Sequence, residues 1–259
     1  MTTPSVPTIK QGGSRFYVHP LTDQKAVGVT SVLNMLPKDF LKFWAAKMTA
    51  EAAVDQFGTL ASFVADGRRD DAVDWLKRAH TRSVGDAANV GTEVHEMCER
   101  LARGLELPAL HPDIAVFVDH FREFLDVFQP EFLFVEETVW SETHGYAGSF
   151  DAIARIGNEV VILDNKTTKS GVHAEVALQL SAYERADYIL RPDGTQVDLP
   201  KLDAAAVLHL RPEGWNLVPV QTSDDAFAVF LALKEVMEWD KRLSKAVIGK
   251  PIRHEEVAP

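Results

Sequence analysis

The stretch 145–169, GYAGSFDAIARIGNEVVILDNKTTK, constrains this chain more than any other. Residues 146–156 and 160–167 have the β-branched and apolar content of strands, and Gly157-Asn158 between them suits a two-residue hairpin turn. That turn pairs Ile156 with Glu159, so opposed residue numbers sum to 315. A four-residue loop centred on the same dipeptide gives the same register. Asp151 then falls opposite Asp164, and Ser149 opposite Lys166. Directly opposed side chains have Cβ atoms about 4.5–5.5 Å apart. Lys166, two residues past Asp164, lies on the same strand face.

Opposed carboxylates are costly for a fold, because facing like charges destabilise a sheet. The run VVIL at 160–163 also marks a strand buried on both faces. Partly buried carboxylates become tolerable when a cation sits between them. Oxygen donors of this kind suit Mg²⁺ or Mn²⁺ rather than a structural zinc. A plainer reading stands beside this one: the aspartates lie at strand ends in solvent, or Lys166 neutralises them as a simple ion triad.

The flanking chain predicts a mixed α/β protein. Residues 132–140 read as a strand, 173–190 as a helix, 205–210 and 216–220 as two strands joined by RPEG, and 224–243 as a closing helix with Asp224 and Asp225 at its start. Upstream, RFYVH at 15–19 reads as a short strand and 30–104 as helical. Thr30 or Ser31 can cap SVLNML, and Pro37 opens a helix whose Leu41, Phe43, Trp44 and Met48 spread over a wide apolar face. Further helices are expected at 70–79 and 83–103, with Gly104 just past the last. The expected organisation is a disordered lead-in at 1–13, a mostly helical region at 14–90 packed on the core, and the core itself at 91–259.

Composition sets the outer limits. The chain has 259 residues, 46% of them hydrophobic, enough for one sizeable core. Its longest apolar stretches, such as 226–233, fall far short of the ~18 residues of a membrane span. The opening MTTPSVPTIKQGG has no apolar run, so no secretory leader is expected and the chain reads as cytoplasmic. Cys98, the one cysteine, excludes an intramolecular disulfide and any all-cysteine zinc or iron–sulfur site within one chain. A net charge of −11 repels nucleic acid and anionic membrane at long range. Net charge averages over faces, however, and a divalent-cation site needs local acid.

Two helical segments complete the candidate set. In GTEVHEMCERL, 91–101, His95 and Glu99 are four apart and share a face. His95-Glu96 superficially matches the start of HExxH zinc peptidases, but the second histidine is missing and Cys98 comes one position too early for it. A lone helical histidine is also commonly structural. In EVALQLSAYERA, 175–186, Gln179 and Tyr183 share a face with Val176 and Leu180. On spacing alone they read as a core tyrosine whose hydroxyl is satisfied by glutamine.

Taken in order, these residues resemble the PD-(D/E)XK nuclease superfamily in its RecB-like branch, which includes CRISPR-associated RecB-like exonucleases, the mitochondrial genome-maintenance exonuclease and many phage exonucleases. The matching pattern is G-T-x-x-H-x-x-x-E (Gly91, Thr92, His95, Glu99), Gly-x-x-Asp (Gly148, Asp151), Asp-x-Lys-Thr (Asp164, Lys166, Thr167) and Gln-x-x-x-Tyr (Gln179, Tyr183), over about 91–190. TSVLNMLPKDFLKFWAAKMTAEAA, near the N-terminus, also looks like the lead-in of phage members. The CRISPR-associated members usually hold an iron–sulfur cluster on four cysteines. One Cys98 cannot supply it, so the chain is similar to cluster-free members and no iron–sulfur cluster is expected.

The resemblance implies a restriction-endonuclease-like mixed sheet flanked by helices. It implies one or two Mg²⁺ or Mn²⁺ ions bound by Asp151, Asp164, the main-chain carbonyl of Asn165 and His95, the imidazole favouring Mn²⁺. Lys166 would orient or activate the attacking water, and Gln179 and Tyr183 would support the site or touch substrate. The implied chemistry is in-line attack of metal-activated water on a DNA phosphodiester. Thr167, Thr168, Lys169 and Ser170, just before a helix N-terminus, would grip phosphates. Arg68, Arg69, Lys77, Arg78 and Arg82 either line a strand channel or form a solvated helix face. An exonuclease of phage-type recombination or DNA processing is the expected function, with DNA and a recombination or replication protein as partners and no membrane. An endonuclease or nickase with the same site, a catalytically silent DNA-binding subunit, and a zinc hydrolase built on His95 and Glu96 are the competing readings.

Overall fold

The computed structural model describes residues 4–251, with backbone only for 83–88. The hairpin forms in the expected register. β5 (Tyr146–Ile156) and β6 (Glu159–Lys166) pair antiparallel from Ile156–Glu159 to Ala152–Leu163. Gly157 adopts φ 59° at the turn, a left-handed conformation open to glycine at little cost. β4 (Glu131–Ser141) lies antiparallel along the other edge of β5. β6 pairs in parallel with β9 (Ala204–Arg211), which carries β10 (Gly214–Val220) antiparallel on its far side. At the opposite end β7 (Tyr188–Leu190) pairs with β4, and β8 (Gln196–Val197) with β7.

The chain start adds two strands beyond the one expected at 15–19. β1 (Thr8–Gln11), β2 (Ser14–Val18) and β3 (Lys25–Gly28) form a meander, and β3 runs parallel to β5 over Tyr146 and Ala147. Much of the supposed lead-in is therefore sheet, with Val6 buried at 1% exposure, while residues 1–3 lie outside the described residues. Thr and Ile at 8 and 9 have the β propensity that the neighbouring Pro and Gly concealed. One edge of β5 thus serves two strands, β3 at its start and β6 at its end.

Helices cover both faces of this open mixed sheet. α5 (Ala79–Ala102) and α6 (Pro112–Phe128) pack Val94, Met97, Phe117 and Phe121 against Ala152, Val161, Leu163 and Leu208. α6 was not among the expected elements, although Ile114, Phe117, Val118, Phe121 and Phe124 repeat at helical spacing. The other face is covered by α1 (Val29–Leu33), α7 (Glu175–Glu184) and α8 (Asp224–Lys241), with Val32, Leu180 and Phe230 against Ile153, Ile162 and Val207. The expected helix 173–190 stops at Glu184, because Tyr188–Leu190 is buried by pairing with β4. α8 is capped by Ser223, whose Oγ accepts the Ala226 amide at 3.1 Å, with Asp224 and Asp225 in the first turn. α2 (Asp39–Asp55) and α3 (Phe57–Ala65) bury no residue, and Phe43 on the expected apolar face is 77% exposed. Among the described residues, no helix is long and apolar enough to cross a membrane.

Gly148 sets how closely α7 approaches β5. A Cβ there would lie 2.5 Å from Cε1 of Tyr183 and 3.2 Å from Val29. Tyr183 is itself buried, so its ring cannot swing clear without disturbing the core. Gly148→Ala is expected to destabilise the protein by about 1–3 kcal/mol through overpacking. The midpoint of a urea unfolding curve reads this directly, and an unshifted midpoint would show that α7 yields freely.

Candidate metal centre

The site forms where β5 changes neighbours. Phe150 belongs to the core beneath α7 and α8, whereas Ala152 belongs to the core beneath α5 and α6. Residues two apart share a face in a regular strand, so alternation slips at Asp151. The β4 ladder keeps its register past this point, with Val135 opposite Ala152 and Glu137 opposite Phe150, but Glu136 between them takes φ 50°. A non-glycine residue in this conformation within a central strand is strained, and such strain collects at functional sites. The backbone beside it is secured from α5. Arg103 donates from Nη2 to the Val135 carbonyl at 2.7 Å and from Nε to Glu99 at 2.9 Å. Glu99 of the helical motif thus acts one step back from the cavity's reactive groups.

His95, Glu136 and Asp151 come together at this point. One ligand atom from each lies within 4.8 Å of the others, and His95 Nδ1 is 3.5 Å from Asp151 Oδ1. The expected opposition of Asp151 and Asp164 lies just past the last ladder pair, Ala152–Leu163. Asp151 Oδ2 there accepts the Asn165 amide at 2.5 Å, so Asn165 meets the site through its N–H. Asp164 Oδ1 accepts from Lys166 Nζ at 2.8 Å and from Gln179 Nε2 at 3.0 Å. Its Oδ2 lies 2.6 Å from the same ammonium but receives no directed hydrogen bond, although the oxygen is fully buried. Gln179 also donates to the Tyr183 hydroxyl at 3.3 Å. All seven side chains, His95, Glu136, Asp151, Asp164, Lys166, Gln179 and Tyr183, line one cavity.

Burial and charge act against each other here. Burial works against the charged imidazole of His95, but the adjacent Asp151 carboxylate and its hydrogen bond hold the pKa above its ordinary value. Burial likewise penalises the Asp151 carboxylate, yet His95, Lys166 and the Asn165 amide hold its pKa below the ordinary value. Asp164 is raised, first by burial and further by the charge of Asp151, against the pull of Lys166. Lys166 is raised because Asp164 and Asp151 outweigh its own desolvation. One carboxylate is held charged and its neighbour pushed toward neutrality, the division expected when like charges share a dry site.

The remaining expected residues fall outside this cluster. Thr167, Thr168, Lys169 and Ser170 form the loop after β6, where Thr168 Oγ1 donates to the Gly171 carbonyl at 2.7 Å and Ser170 Oγ lies 2.8 Å from His173. Lys169 is exposed on that loop. Arg82 does not line the cavity: its guanidinium stacks 4.2 Å over Trp75 and donates to the Trp75 carbonyl at 2.9 Å. Arg68, Arg69 and Lys77 pair with Asp71, Asp70 and Asp74 of their own helical segment, as on a solvated face. Glu96, the general base of the competing zinc-hydrolase reading, is exposed and absent from the cavity wall. Cys98 is buried, its thiol pushed up by burial and then by Asp151 and Glu136.

Glu136 is the residue that the sequence reading missed. The signal was present: extending the Ser141–Tyr146 pairing down the β4–β5 hairpin places Glu136 opposite Asp151. No protein-family model matches the chain, and no curated protein matches it.

The donor set fits a divalent cation. Two carboxylates and one imidazole converge within bonding range of a shared ion, and a buried Asp164 oxygen beside them lacks a directed donor. Glu136→Gln and Asp151→Asn are each expected to weaken Mn²⁺ binding by at least about tenfold, the loss produced even by removing outer supports of a metal site. Titration calorimetry without nucleic acid measures this, with the exposed Glu96→Gln as the variant that leaves affinity unchanged.

Proposed function

We propose that the protein is a metal-dependent DNA nuclease, acting as an exonuclease, that hydrolyses phosphodiester bonds by in-line attack of water. The observation that carries this reading is the convergence of His95, Glu136 and Asp151 in one cavity with the Asp164–Lys166 pair. The order of the motifs, with its resemblance to RecB-like PD-(D/E)XK nucleases, supports the choice of DNA as substrate.

Asp151, His95 and Glu136 would hold a Mg²⁺ or Mn²⁺ ion, with Asp164 as the further carboxylate. When bound, the ion lowers the pKa of water and neutralises charge on the phosphoryl oxygens. Lys166 has three donors, one of which goes to Asp164 Oδ1 at 2.8 Å, leaving capacity to orient the attacking water. Gln179 holds Asp164 in place and links it to Tyr183, whose position depends on Gly148. The exposed Thr168, Lys169 and Ser170 lie on the loop that follows Lys166, and would contact the strand outside the cavity.

Purified protein is expected to degrade linear DNA with Mg²⁺ or Mn²⁺ and to stop with EDTA. Asp164→Ala and Lys166→Ala should each lower turnover by at least about 10²-fold, the scale of losing one charged or hydrogen-bonding group at a reacting centre, with circular dichroism unchanged. Full activity in either variant overturns the mechanism. A covalently closed circle should survive, and its cleavage would make the enzyme an endonuclease or nickase. Tight DNA binding with no hydrolysis under any divalent ion would leave a silent binding subunit.

A further inference from the structure

The cavity has a second wall, built by β2. Arg15 and Tyr17 line it together with the acidic residues. Tyr17 is firmly placed: its hydroxyl accepts the Ser149 amide at 3.1 Å and lies 3.3 Å from Ser149 Oγ, which is 3.1 Å from Thr138 Oγ1. The Arg15 amide donates to Ser31 Oγ at 2.9 Å. Residues two apart on a strand project to the same face, so the contacts that fix Tyr17 and the Arg15 backbone also fix where the arginine side chain begins.

Arg15 is half-buried, and three carboxylates line the same cavity, yet its guanidinium has no ion-pair or hydrogen-bond partner among the described residues. The cavity's other cation, Lys166, is committed to Asp164. An arginine held in an acidic cavity without pairing to its acids is arranged for an anion brought from outside. That anion must also be compatible with the carboxylates, which a phosphodiester is when a cation lies among them. The guanidinium fork matches two phosphate oxygens at once, which an ammonium cannot do. The cavity holds about 70 Å³, room for two or three waters, so a phosphate can enter while bases stay outside.

We propose that Arg15 is the phosphate-binding residue of this site, gripping the DNA backbone at or beside the bond to be cut, without regard to base sequence. The inference rests on the nuclease reading above and deepens it.

The test is fluorescence anisotropy with labelled single-stranded and duplex 20-mers of two sequences, in Ca²⁺, over a salt series. Arg15→Ala should weaken binding about tenfold at low salt, equally for both sequences, and reduce the slope of log affinity against log salt by about 0.7–0.9. Arg15→Lys should keep the slope and lose part of the affinity. In Mg²⁺ the Ala variant should raise KM at least as much as it lowers kcat. If Arg15→Ala melts below the wild type, the Lys and Gln variants decide instead, since both retain a long stem: Lys must keep the slope and Gln must lose it. Unchanged affinity and slope in a protein that cleaves DNA would overturn the Arg15 assignment alone. A wild-type protein that neither binds nor cleaves DNA would overturn the nuclease reading, and this one with it.

Discussion

Everything at the site depends on one edge of β5 being shared by two strands. β3 occupies it at Tyr146 and Ala147, and β6 from Ala152 to Ile156. Neither supplies a regular ladder in between, so backbone donors and acceptors there need other partners. The side chains fill that role: the Asn165 amide goes to the Asp151 carboxylate and the Ser149 amide to the Tyr17 hydroxyl. A carboxylate in such a gap is a structural closure as well as a charge, because it accepts an amide that would otherwise be orphaned where the ladder ends.

The same gap creates an electrostatic deficit. Glu136 and Asp164 are 8% and 3% exposed, and Asp151 stands between them in the cavity, with an apolar core on each face of the sheet. Asp164 is paired with Lys166 and Asp151 with a histidine whose raised pKa depends on it, and Arg15 lines the same cavity. Breaking or under-compensating buried charge costs several kcal/mol, about 3–5 in measured cases. A fold selected only for stability would fill these positions with apolar side chains. The retained acids, the strained Glu136 backbone and the Arg103 bond that steadies it favour a site that receives positive charge from a bound ion.

Much of this was readable in the sequence wherever short-range rules govern. The Gly157-Asn158 turn dictates the register through Ala152–Leu163, because hairpin geometry is local. Gln179 and Tyr183 meet because helical spacing puts them on one face. What was lost lies where tertiary pairing overrides local preference. β1 and β3 are four residues each and are held by pairing with β2, and β3 also by two residues of β5. Tyr188–Leu190 leaves its expected helix to pair with β4. The precise meeting of Asp151 with its partners depends on alternation failing in β5 and on the left-handed backbone of Glu136 beside it, and period-2 reasoning assumes regular strands. Glu136 was hidden for a related reason: its role follows from the second hairpin, β4–β5, whose turn lacks the glycine-asparagine signal of the first. The basic cluster, left open between a strand channel and a solvated face, has Arg82 stacked on Trp75 and Arg68 and Lys77 paired with acids of their own segment.

Net charge and proposed substrate are at odds until distance is considered. At −11 the chain repels a polyanion approaching from afar, and electrostatic steering cannot hasten encounter. That repulsion is screened beyond about 10 Å at 0.1 M salt, so affinity has to arise from contacts made inside that range. Under the nuclease reading a divalent ion among Asp151, His95 and Glu136 would reverse the local sign where a phosphate enters, and Arg15 would add a positive group that no acid neutralises among the described residues. Under the nuclease reading these two charges do different work. Asp151, His95 and Glu136 would hold an ion that supplies charge stabilisation in the transition state, whereas Arg15 would hold the backbone equally before and during reaction. A uniform grip of that kind lowers KM without raising kcat, which is the separation of roles expected when one group carries the chemistry and another keeps the strand in place.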